Sequence, residues 1–114
     1  MKLKEIIEII DGKIICGHCN LEKDVRKGFS SDLMSDVLTT FSDNLLLITG
    51  LTNPQVVRTA EMSDISFVVL VRGKKVSQEM INLADESNIS LIETDYSMFK
   101  VSGILMNAGI KPLF

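Results

Sequence analysis

Three apolar runs in the second half of the chain each end in a polar turn, from which a helical pattern starts at once. They are Leu45-Leu46-Leu47-Ile48 before Thr49-Gly50-Leu51-Thr52-Asn53-Pro54, Phe67-Val68-Val69-Leu70-Val71 before Arg72-Gly73-Lys74-Lys75, and Ser90-Leu91-Ile92 before Glu93-Thr94-Asp95. Buried strands that alternate with amphipathic helices predict a parallel sheet, because parallel neighbours need a crossover element between them. The three turns are then expected along one rim, the carboxyl edge, where open α/β sheets usually bind ligands.

The remaining pattern fills in the other elements. Leu3, Ile6, Ile7 and Ile10 repeat at helical spacing, so a helix is predicted over 2–10, ended by Asp11-Gly12 and followed by a short strand over 13–16. The stretch 17–27 is irregular and leads to a polar, edge-like strand around 24–29. Ser30 or Ser31 can then open a helix, with Asp32 in its first turn facing the dipole and Leu33, Met34, Val37, Leu38 and Phe41 as its buried stripe. Asn53 and Pro54 suit the start of the next helix, which turns Val56, Val57 and Ala60 to the sheet. Ser77 can cap a helix buried through Met80, Leu83 and Ala84. Asp95 can cap a last one buried through Met98, Val101 and Leu105 and stopped by Gly109. Phe99, Ile104 and Ala108 make that last helix apolar almost all round, as expected of one deeply buried or at an interface. The predicted architecture is one three-layer α/β domain over 1–114, with a mostly parallel sheet of about four to five strands and helices on both faces.

Composition narrows the function classes. Of 114 residues 46% are hydrophobic and 24% charged, which is ordinary for a globular domain and excludes disorder. The formal charge is −3, from 15 acidic and 12 basic side chains. Only Lys74-Lys75 beside Arg72 comes near the dense basic face that nucleic acid requires, so nucleic-acid binding is not expected. No apolar run reaches the ~18 residues of a membrane span. Acidic Glu5 and Glu8 interrupt the first helix, unlike a secretory signal, and two cysteines make no disulfide framework. A cytoplasmic protein with reduced thiols is the simplest expectation.

Candidate chemistry is sparse. The Thr49–Asn53 turn opens a helix whose free N–H groups and positive end can receive an anion, with Gly50 admitting a phosphate and Thr52 and Asn53 bonding it. The same residues also suit plain helix capping, and no Walker-type glycine loop is present. Arg72 and Lys74 supply the only concentrated positive charge on the rim, around a Gly73 that either serves a ligand or only a positive φ. Thr94 and Asp95 complete the rim. Cys16-Gly17-His18-Cys19 is a lone CxxC: zinc would need about four ligands and finds no second pair, which leaves a redox dithiol or a buried strand cysteine. Asp32 and Asp36, beside Ser31 and Ser35, read as a solvated helix face or a surface for a partner protein. His18 is the only histidine, and the internal methionines read as core filling. No acid–base or nucleophile pair emerges, so an enzyme, a metal site or a cofactor is not expected.

Four blocks, in this order and spacing, carry a resemblance. They are Gly28-Phe29-Ser30-Ser31-Asp32-Leu33-Met34-Ser35-Asp36-Val37, Ile48-Thr49-Gly50-Leu51-Thr52-Asn53-Pro54-Gln55, Val71-Arg72-Gly73-Lys74, and Thr94-Asp95-Tyr96-Ser97-Met98-Phe99 with Gly103-Ile104-Leu105. Over roughly 11–112 the chain resembles small stand-alone bacterial proteins of the DRTGG domain family. The family is a regulatory module attached to phosphotransacetylases and to CBS-domain pyrophosphatases. There it accompanies adenine-nucleotide regulation and contributes to dimerisation. The resemblance implies a regulatory α/β domain without chemistry of its own, a homodimer, an adenine-nucleotide-like ligand and an unidentified partner protein. Gly50 is followed by Leu51 and Thr52 where the Asp-Arg of the family name would stand. Its Thr-Gly-Gly portion survives as Gly73 between Arg72 and Lys74.

Overall fold

A computed structural model describes residues 1–15 and 21–114 of the chain. Cys16, Gly17, His18 and Cys19, the CxxC segment, lie outside the described residues. The elements are α1 (Leu3–Ile9), β1 (Lys13–Ile14), β2 (Lys27–Ser30), α2 (Met34–Val37), β3 (Leu45–Thr49), α3 (Pro54–Met62), β4 (Phe67–Leu70), α4 (Gln78–Ser87), β5 (Ser90–Glu93), α5 (Met98–Ala108) and β6 (Lys111–Pro112).

The strands form one sheet in the order β1-β5-β4-β3-β2-β6. All neighbours are parallel except β1, which runs antiparallel to β5. The expected mostly parallel sheet is therefore present, with a sixth strand that two residues beyond Gly109 were too short to signal. The strand expected at the edge, β2, is covered by β6 through the pairs Lys27↔Lys111 and Gly28↔Pro112.

Strand alternation sorts the core into two halves. Leu45, Leu47, Val68, Leu70 and Leu91 pack under α2, α3 and α4, with Val56, Val57, Ala60, Met80 and Ala84. Leu46, Ile48, Phe67, Val69 and Ile92 pack under α1 and α5, with Leu3, Ile6, Val101 and Leu105. The continuous apolar strand runs follow from this, since a sheet covered on both faces has no polar side to alternate with. No helix of the described residues is long and apolar enough to cross a membrane.

Three local expectations are corrected. The helix after β2 is a single turn, with Asp32 outside it, so Leu33, Leu38 and Phe41 remain exposed and only Val37 of the stripe is fully buried. Two hydroxyls stop it: Thr40 Oγ1 and Ser63 Oγ both donate to the Val37 carbonyl, at 2.7 and 3.1 Å. Ser97, not Asp95, caps α5, its Oγ accepting from the Lys100 N–H. Asn53 holds the N-cap backbone position of α3 but makes no side-chain cap bond, whereas Ser77 caps α4 and Gly109 ends α5 at φ 112° as expected. The nearly all-apolar α5 is not deeply buried: Phe99 is 91% and Met106 60% exposed.

Candidate functional site

Register decides where the turns fall. Thr49 pairs with Leu70, and Leu70 with Glu93, so β3, β4 and β5 finish level with one another. Each next strand lies about 4.8 Å further along, and the Gly50–Asn53, Arg72–Lys74 and Thr94–Asp95 turns stand side by side on a single rim.

Backbone hydrogen bonds stitch that rim. Arg72 and Gly73 both take left-handed backbone, at φ 64° and 69°, which folds the turn back over β5. The Arg72 N–H then donates to Tyr96 O at 2.8 Å and the Gly73 N–H to Thr94 O at 3.0 Å. A side chain at Gly73 would put its Cβ 3.2 Å from Asp95 Oδ1, so the missing side chain keeps those two turns in touch. Thr94 is buried: its hydroxyl donates to Ile10 O at 2.7 Å and accepts from Tyr96 N–H at 3.2 Å, leaving it a structural pin.

At the other end of the rim, Asp32 Oδ1 accepts from the Gly50 N–H at 2.7 Å and from Thr49 Oγ1 at 3.0 Å. The donor that sequence reasoning offered to a phosphate is thus holding a carboxylate of the chain itself. Ser31 folds its own turn, with its Oγ accepting from the Leu33 N–H at 3.0 Å, while Ser35 and Asp36 are exposed on α2.

Charge along the rim is uneven. Lys75 faces Glu93 at 3.6 Å, and among the described residues neither Arg72 nor Lys74 has an ion-pair partner. Glu93 is nine-tenths buried, with Oε2 accepting from the Val76 N–H at 2.9 Å, so it anchors the loop that carries these cations. Beside it a hollow of about 150 Å³ opens between β1, β5 and the Gly73 turn, walled by Asp11, Lys13, Lys75, Glu93 and Asp95. Sequence reasoning missed Asp11, Lys13, Lys75 and Glu93 as part of this place. A carboxylate ending an apolar run was a usable signal for Glu93, but Asp11 and Lys13 arrive through the antiparallel pairing of β1, which no local pattern announces.

A larger hollow of about 210 Å³ lies at the far end, between β2, β6 and α5, and is lined by Phe29, Ile48, Leu105, Met106, Ile110 and Phe114 among others. Its only two side-chain hydroxyls, Ser30 and Ser102, are bonded to each other at 2.7 Å. Apart from Lys111 and this hydroxyl pair it offers apolar surface. No group of three or more His, Cys, Asp or Glu residues suited to a metal ion occurs among the described residues.

Comparison with known proteins places the chain in a family. The family model described as the DRTGG domain matches residues 5–108. The chain belongs to the DRTGG domain family. An uncharacterised protein of Bacillus subtilis, YtoI, is 25% identical over 107 residues, which cover 91% of this chain and 24% of that protein. The regulatory region of Clostridium perfringens pyrophosphatase, comprising CBS and DRTGG domains and solved in complex with its activator diadenosine tetraphosphate, has a similar fold. The TM-score is 0.79 at 18% identity, over 98% of this chain and 48% of that one. The DRTGG chain described here therefore spans about a quarter of the one relative and half of the other.

Proposed function

We propose that this DRTGG domain is a non-catalytic regulatory unit that binds a nucleotide-like anion on its carboxyl rim. The observation that carries the reading is the level finish of β3, β4 and β5, which puts the unpaired Arg72 and Lys74 at the centre of one continuous edge. Two uncompensated cations on one backbone turn attract phosphate groups, and the neighbouring turns supply Thr52, Asn53 and Asp95 for hydrogen bonds to the ligand. The activator held by the Clostridium perfringens regulatory region is of this chemical kind. Regulation would follow from unequal affinity of the ligand for two arrangements of the assembly that contains the domain.

The experiment is a thermal-shift and calorimetric titration with ATP, ADP and diadenosine tetraphosphate, on wild type and on the Arg72→Ala, Lys74→Ala double variant. The melting temperature of wild type should rise with ligand concentration, and the rise should vanish in the variant. A flat response from both proteins sinks the reading.

A second reading is an adaptor without a small ligand, favoured by exposed apolar surface in two places. On α5, Phe99 and Met106 lie on one stripe, with Ala108 also exposed, and are suited to a second copy. Around α2, exposed Leu33, Leu38 and Phe41 adjoin Ser31, Asp32, Ser35 and Asp36, a face suited to a partner protein. Ligand binding and self-association are compatible, and a homodimer is part of the proposal.

A further inference from the structure

The hollow of about 150 Å³ at the β1–β5 end of the rim holds charges of both signs, and beyond the Lys75–Glu93 pair they do not satisfy one another. Asp11, Lys13 and Asp95 stand around it, and among the described residues none of the three makes an ion pair or a side-chain hydrogen bond. Elsewhere opposite charges close up readily, as in the 2.7 Å contacts of Lys2 and Lys4 with Glu22. The remaining wall groups are already engaged: Glu93 with Val76 and Lys75, Thr94 with Ile10 and Tyr96.

What would fill such a space is constrained by its chemistry. Ionised carboxylates only accept hydrogen bonds and lysines only donate them. A bare phosphate would meet the repulsion of Asp11 and Asp95, and a bare cation that of Lys13 and Lys75. A neutral polyol carrying a phosphate meets neither objection, since its hydroxyls donate to the carboxylates while its phosphate lies against the cations. Size agrees, because a cavity of about 150 Å³ takes one six-membered ring, and a furanose is of that class. Carboxylates near strand ends are also the usual readers of ribose hydroxyls in open α/β sheets.

We propose that this hollow seats the ribose of a ribonucleoside phosphate, with Asp95 and Asp11 accepting from its vicinal hydroxyls and its phosphates running on to Lys74 and Arg72. The assignment rests on the anion-binding reading of the rim and adds the sugar to it. Gly73 belongs to the design, since a side chain there would crowd Asp95 Oδ1 at 3.2 Å and close the entrance between sugar and phosphate positions.

The test is calorimetry in magnesium-free buffer, so that no metal bridges carboxylate to phosphate, with ATP, 2′-deoxy-ATP and inorganic tripolyphosphate. Wild type should bind ATP at least about tenfold more tightly than 2′-deoxy-ATP, the scale of one hydrogen bond to a charged group. In Asp95→Ala that preference should fall to about twofold or less while the affinity for tripolyphosphate does not fall, since a repelling carboxylate has gone; the exposed, unbonded Asp95 side chain makes a folding defect no part of this outcome. Equal affinity of wild type for the two nucleotides overturns the ribose assignment and leaves the anion reading standing. A preference that survives in Asp95→Ala also overturns it. No heat from any of the three compounds overturns both.

Discussion

The carboxylate of Asp32 ties β2 to β3 by accepting from a backbone amide and a hydroxyl of the neighbouring turn. Removing it in Asp32→Ala leaves the Gly50 N–H to solvent, and urea unfolding should show a loss of about 1–1.5 kcal/mol. Asp32→Asn, which keeps an acceptor, should lose less. At Gly73 the constraint is conformational: with φ at 69° and Asp95 Oδ1 close to any added Cβ, Gly73→Ala should cost about 1–2 kcal/mol in the same assay. The sequence showed that Gly73 sits in a turn, because glycine between charged residues after an apolar run is a local signal. It could not show that Asp32 reaches Gly50, because a contact between positions 18 residues apart depends on the pairing of two strands.

Element by element, legibility followed the strength of the local pattern. β3, β4 and β5 were readable because each is apolar throughout and bounded by polar turns, and α4 because Ser77, its apolar stripe and its length all agree. α2 is shorter than its pattern implies: five apolar residues at helical spacing suggest a stripe, while the hydroxyls of Thr40 and Ser63 take the carbonyl that would have continued it. For α5 the cap was misplaced by two residues, as Asp95 and Ser97 are both competent and only the bend of the chain over Gly73 decides. Ser97→Ala should therefore lower thermal stability by about 1 kcal/mol, and Asp95→Ala should leave it nearly unchanged.

The N-terminal helix adds a pH-dependent element. Hydrogen bonds from Lys2 and Lys4 hold the Glu22 carboxyl down from 4.5 to about 2. A folded-state pKa below the unfolded one means that the stabilisation is complete above about pH 4.5 and is lost as pH falls toward 2. Acid titration of the melting temperature should show Glu22→Gln less stable than wild type near neutrality, with the two curves converging across that window. The pair of lysines is exposed, so the effect should be small and should shrink further in high salt.

At the scale of the whole molecule, the placement of three turns on one rim was readable in outline, because parallel strands joined by helices must all point their carboxyl ends the same way. Strand order was not, and it is strand order that brings Asp11 and Lys13 beside Asp95. The same limit applies to α5, whose all-round apolar surface predicted burial or contact, while only the packed sheet shows Phe99 and Met106 left outside. If that stripe joins two copies, light scattering should give twice the chain mass for wild type and the chain mass for a Phe99→Asp, Met106→Asp variant at equal concentration.

Both margins of the sheet are short. One is the two-residue β1, and the other is the two-residue β6, which ends on Pro112 and so offers one amide fewer to a newcomer. Among the described residues, neither presents a ladder long enough for another chain to extend by adding its own strand. Copies that met at these short margins would gain few strand hydrogen bonds, which favours contact through the helical flanks.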